Sequence, residues 1–192
     1  MVLPIVAYGS PVLRKVCKDI DPGYPNLSIL IDDMWETMYR SSGVGLAAPQ
    51  IGKDIRLFVI DSTQVFESLE KDEEGLYPDA PGIKQVFINA HIEELEGDDW
   101  VYNEGCLSIP KIREDINRKE SVTLRYCDEN FEEHLKTFDG ITARIILHEY
   151  DHTEGKLFID YVKPLKRTLM KRKLDDISKG KVNVDYRMIF LK

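Results

Sequence analysis

The strongest chemical signal in the chain is the run His148, Glu149, Tyr150, Asp151, His152. On a helix, positions i and i+4 share one face, so the two imidazoles can meet one cation. Glu149, next to the first imidazole, can reach a water on that cation and act as general base. The alternative is a surface helix with two solvated histidines. Ile145, Ile146 and Leu147 argue against it: they imply a buried helix, where a polar face needs partners.

A catalytic ion needs a third protein ligand and an open position. A metzincin-type histidine falls at position 158, where Phe158 stands, and a thermolysin-type glutamate is missing, since none follows Glu154. Upstream, Glu104-Gly105-Cys106-Leu107-Ser108 offers a thiolate, a good ligand for a first-row transition metal. The plain reading of a lone cysteine is a small core residue. That reading fits Cys17 and Cys127, which have no such neighbours. Further upstream, the stretch 43–52 begins Gly43-Val44-Gly45 and carries Gln50. Its glycines permit close backbone approach, and the Gln50 amide can hold a substrate carbonyl oxygen. It lacks the Gly-Lys-Ser/Thr ending of a phosphate loop.

These residues need a scaffold. Apolar spacing at Leu27, Leu30, Ile31, Met34 and Met38 predicts an amphipathic helix over 26–42, ended by Gly43. Residues 56–61 read as a buried strand, 86–95 as a second, and 66–84 as an exposed loop rich in Asp, Glu, Gly and Pro. Val122, Leu124 and Tyr126 alternate with polar neighbours, and 134–138 can pair with them across a turn at 128–130. A mostly buried helix is expected over 142–153, and an amphipathic one over 164–178, closed by Gly180. Strands in runs with helices set apart predict an α+β fold.

Composition narrows the classes. The chain has 192 residues, 43% hydrophobic and 31% charged, as expected for one domain over 1–192 with a single core. No apolar run reaches the ~20 residues of a membrane span, and residues 1–9 lack a secretory pattern. Three scattered cysteines suit a reducing cytoplasm better than a disulfide framework. Net charge is −8, which argues against a general nucleic-acid coat. Yet 163–181 holds eight basic residues against Asp175 and Asp176, a separate basic surface.

Together GVGLAAPQ (43–50), EGCLS (104–108) and HEYDH (148–152), in this order, resemble the peptide deformylase family. The likeness extends to YGSPVLR (8–14), IREDINR (112–118) and GKLFIDYV (155–162). It implies antiparallel β-sheets packed around a central helix carrying HEYDH, with a core over about 1–163 and a basic C-terminal helical extension over 164–192. It implies one divalent ion, Fe²⁺ in the cell and Ni²⁺, Co²⁺ or Zn²⁺ in a purified sample, on Cys106, His148 and His152. It further implies Glu149 as acid and base, Gln50 and the Leu107 N–H as oxyanion donors, and Gly45, Ile141 and Ile145 around the substrate. The implied reaction releases formate from the N-terminal formylmethionine of nascent polypeptides. The basic helix then becomes a candidate ribosome contact through Lys163, Lys166, Arg167, Lys171, Arg172 and Lys173. Leu147 and Thr153 depart from the family pattern, which often has glutamine before the motif and Leu or Ile after it. The competing readings are an ordinary zincin peptidase, which lacks its third ligand, and a non-catalytic binding protein, which has no need of Glu149.

Overall fold

The computed structural model describes residues 1–67 and 79–190. In chain order the elements are β1 (Ile5–Val6), α1 (Leu27–Arg40), β2 (Gly45–Ala47), β3 (Leu57–Asp61), α2 (Thr63–Glu67), β4 (Lys84–Cys106), β5 (Ile109–Cys127), β6 (Glu133–Asp139), α3 (Gly140–Thr153), α4 (Pro164–Ser178) and β7 (Met188–Ile189). Strands β2 to β6 form one antiparallel sheet in sequence order. Helix α3, bearing HEYDH, packs on it, so the expected α+β architecture holds. The pair β1–β7 is parallel, which the sequence reading did not foresee.

Strand β3 explains why its apolar run is unbroken. Phe58 and Ile60 face α3, together with Phe87, Val122, Leu124, Tyr126 and Phe138 from the neighbouring strands. Leu57 and Val59 face α1, against Ile31, Met34 and Met38. A strand covered on both faces needs apolar residues at every position. The α1 boundary differs from expectation: the helix stops at Arg40, and Ser42, at φ 55°, makes the left-handed turn. Gly43 N–H then closes onto Met38 O at 2.9 Å.

The strand read at 86–95 is the middle of β4, which runs 23 residues and pairs with β5 along a long hairpin. The pairing of 134–138 with the segment around Leu124 is as expected, with Val122 opposite Phe138 and Tyr126 opposite His134. Most of the acidic loop read at 66–84, residues 68–78, lies outside the described residues. Helix α4 ends at Ser178 as read, burying Met170, Leu174 and Ile177. Beyond it the extension is not helical: from Val182 to Phe190 residues alternate between half-buried and exposed, and β7 returns to lie beside β1.

Candidate active site

Helix α3 is held rigidly enough to present chemistry. Asp79 accepts the Thr142 N–H at 2.8 Å, and the Ser62 and Thr142 hydroxyls meet at 2.9 Å, so neighbouring segments satisfy the helix start. At the other end, Gly155 and Lys156 N–H close onto the carbonyls of His152 and Asp151. Between these caps, His148, Glu149 and His152 turn toward the end of β4. Burial pushes the Glu149 carboxyl up to about 7, and its Oε2 has no partner among the described residues.

Cys106 is the last residue of β4. It pairs with Ile109 across the two-residue turn Leu107–Ser108, beside a bulge in the ladder. The bulge re-aims the strand end, and Cys106 Sγ comes to 3.3 Å from His152 Nε2. The ligand atoms of Cys106, His148 and His152 all lie within 4.8 Å of one another. One thiolate and two imidazoles form a donor set that suits a first-row transition ion.

Glu104 organises the residues behind these donors. It accepts from His148 Nδ1 at 3.0 Å, which leaves His148 Nε2 to face an ion. Arg118 grips it in a fork at 2.7 and 3.0 Å, and Arg144 adds a contact at 3.1 Å. Arg118 also pairs with Asp151 at 2.6 Å. Burial raises the Glu104 carboxyl, but the His148 and Arg118 hydrogen bonds more than reverse this and hold it below the usual carboxylate range. Two carboxylates and two guanidiniums thus balance inside the core. Sequence reasoning assigned none of Arg118, Arg144 or Asp151, and Glu104 only as part of a motif. The available signal was charge at positions that alternation marks as inward, such as Arg118 in IREDINR.

The cleft in front of the donors has a volume of about 560 Å³ and is lined by Gly45, Gln50, Cys106, Leu107, Ile141, Ile145, His148 and Glu149 among others. Gln50 Oε1 accepts the Ala47 N–H at 2.8 Å, so its Nε2 is turned to Cys106 Sγ at 3.5 Å. Glycine is required at 45: a Cβ there falls 2.8 Å from Glu149 Cγ and Cδ. The sequence-selected residues therefore gather in one place, with Ile141 and Ile145 forming its apolar wall. Cys17 lies elsewhere in the core, its thiol pushed up to about 11 by burial. The two departures also find partners. Leu147 joins the apolar core under the sheet, and Thr153 Oγ1 lies 3.2 Å from the buried Arg56 guanidinium.

The chain resembles known proteins over nearly its whole length. It matches the family model described as polypeptide deformylase over residues 2–168. A peptide deformylase of Christiangramia forsetii is 52% identical, covering 99% of this chain and 96% of its own. One of Flavobacterium johnsoniae is 54% identical with the same coverage. The crystal structure of a peptide deformylase from Legionella pneumophila superimposes with a TM-score of 0.78 at 36% identity, covering 94% of this chain and 98% of that one. The chain belongs to the polypeptide deformylase family.

Proposed function

We propose that the protein hydrolyses the N-formyl group from the N-terminal formylmethionine of newly made polypeptides and releases formate. The observation that carries this reading is the convergence of Cys106, His148 and His152 donor atoms within 4.8 Å, at a cleft that also holds Glu149 and Gln50. In this reading those three residues hold one divalent ion. Such an ion supplies Lewis-acid polarisation of the carbonyl and acidifies water near neutral pH.

The remaining steps belong to the chain. Glu149 takes a proton from the water that attacks the formyl carbon and delivers one to the leaving amine. Its raised carboxyl suits a group that must both accept and donate. The Gln50 amide and the Leu107 N–H donate to the formyl oxygen as it becomes anionic. Gly45 leaves room for the peptide backbone, and Ile141 and Ile145 receive the methionine side chain. Fe²⁺ is the native ion in this reading, with Ni²⁺, Co²⁺ or Zn²⁺ able to replace it in a purified sample. The chain works in the cytoplasm as one domain over 1–192. Lys171, Arg172 and Lys173, exposed on α4, are its ribosome contact, whereas Lys166 and Arg167 already pair with Glu114 and Asp160.

The test is formate release from formyl-Met-Ala-Ser by the purified, metal-loaded protein. Met-Ala-Ser, which carries no formyl group, should yield none. A loaded protein that releases no formate overturns the proposal.

A further inference from the structure

The Leu107–Ser108 turn is clamped from both ends of the sequence. Tyr8 N–H donates to Ser108 O at 2.8 Å. The Tyr186 hydroxyl donates to Leu107 O at 2.8 Å, across 79 positions. Tyr186 is held in turn by the strand pair next to it: Ile5 N–H reaches Arg187 O at 2.9 Å, and Ala7 N–H reaches Ile189 O at 2.8 Å. Val182, Met188 and Phe190 pack into the cluster that includes Cys106. Residues 184–186 line the cleft itself. The segment from Val182 to Phe190, which supplies the Tyr186 side of this clamp, lies beyond residue 168, where the family-model match stops.

We propose that Tyr186 is a positioning residue for the reaction, fixing the Leu107 peptide so that its N–H aims at the substrate oxygen. The inference rests on the reading of Leu107 as an oxyanion donor. Leu107 has one peptide plane on each side. The plane before it carries its N–H and is anchored through Cys106 and the Cys106–Ile109 pairing. The plane after it carries the carbonyl that Tyr186 holds. With both planes fixed, the Leu107 dihedrals have no remaining freedom, and the donor is set before substrate arrives. A donor that needs no reorientation during the reaction stabilises developing charge best. Without the hydroxyl, the second plane can rotate, the two-residue turn that Cys106 and Ile109 close loosens as a unit, and the donor in the first plane loses its aim.

The test compares wild type with Tyr186→Phe, which keeps the ring and removes only the hydroxyl, and with Asn183→Ala as a tail control. Loss of one such hydrogen bond should lower kcat about tenfold. KM should stay within about twofold, and bound metal should be unchanged. Hydrogen exchange at the Leu107 amide should quicken in Tyr186→Phe alone. A rise in KM with unchanged kcat makes Tyr186 a peptide contact and overturns the proposal. So does a lower kcat with unaltered Leu107 exchange, or an equal loss in Asn183→Ala. Faster exchange with unchanged kcat means that Tyr186 holds the turn but Leu107 N–H takes no part, which overturns the Leu107 assignment and this inference with it. Failure of the deformylase reading is separate: wild type itself then yields no formate, while the exchange measurement still reports on the clamp.

Discussion

Among the described residues, two groups of side chains bring possible ligand atoms within 4.8 Å of each other: Cys106, His148 and His152 in the cleft, and Asp128, Glu132 and His134 at the β5–β6 turn. In the second group Asp128 and His134 already engage each other and the backbone of the turn. Asp128 Oδ1 accepts the Asn130 and Glu132 N–H groups at 2.9 and 3.1 Å, and its Oδ2 meets His134 Nε2 at 2.9 Å. That arrangement builds a hairpin turn. In the first group the imidazole of His148 is gripped from behind by Glu104, and Glu104 by two arginines, so the donor that remains faces the cleft. Proximity is common to both. What separates them is whether the surroundings consume the donors or aim them.

The largest effect that would break this contrast is at Cys106. Cys106→Ser replaces a thiolate by a weak neutral ligand and should remove most bound metal and nearly all formate release, measured on protein prepared without oxygen. Wild-type metal content in that variant would make the cleft group no better a metal site than the turn. Next is Glu149→Gln, which should retain metal yet turn over about 10²- to 10⁴-fold more slowly. Near-normal turnover would remove the acid–base role. A smaller effect tests the support behind the ligands. Glu104→Gln should weaken metal binding about 10- to 100-fold, read by competition with a chelator. It should also cost about 3–5 kcal/mol of stability in denaturant, because Arg118 and Arg144 lose a buried partner.

The smallest change belongs to the turn. Asp128→Asn should leave metal and turnover as they are and cost under about 1 kcal/mol, since the pair lies near solvent. The His134 hydrogen bond, with those of the turn amides, holds the Asp128 carboxyl below its usual range against a small opposing effect of burial. A lowered folded-state pKa stabilises at pH above the ordinary carboxylate value, and the gain is lost as pH falls through the folded value. Wild type should therefore shed this increment below about pH 4, and Asp128→Asn should show a flatter acid limb in urea titrations. Loss of metal from Asp128→Asn would mean that the turn, too, is a metal site.

Much of the scaffold was legible where one simple period ruled. Met34 and Met38 repeat on α1, Val122 to Tyr126 alternate on β5, and the HEYDH spacing placed two imidazoles on one face of α3. The long hairpin was harder for a physical reason. On β5 the inward side of IREDINR includes Glu114 and Arg118, both buried, so charge interrupts the apolar alternation. Those charges are tolerated because Lys166, Glu104 and Asp151 answer them from distant parts of the chain, and no local pattern reveals such partners. Gly43 was read only in part, for a similar reason. It looked like a helix stop, but Ser42 makes that turn, while a Cβ at 43 would press to 2.9 Å from Leu107 Cδ1. The end of the chain carried a usable signal, the alternation of Val182, Val184, Tyr186, Met188 and Phe190, which the basic helix before it overshadowed.

The pairing of Ile5–Val6 with Met188–Ile189 has a consequence for how the enzyme comes into being. During synthesis the HEYDH helix leaves the ribosome well before residues 186–189 do. Until those residues emerge, the Leu107 turn has its own strand pairing and the Tyr8 contact but lacks the Tyr186 hydrogen bond. Joining segments more than 180 positions apart also carries a large loop-closure entropy, which favours making this contact late. A growing chain can therefore form the HEYDH helix first, and the Leu107 turn gains its second tether only after residues 186–189 have followed it out.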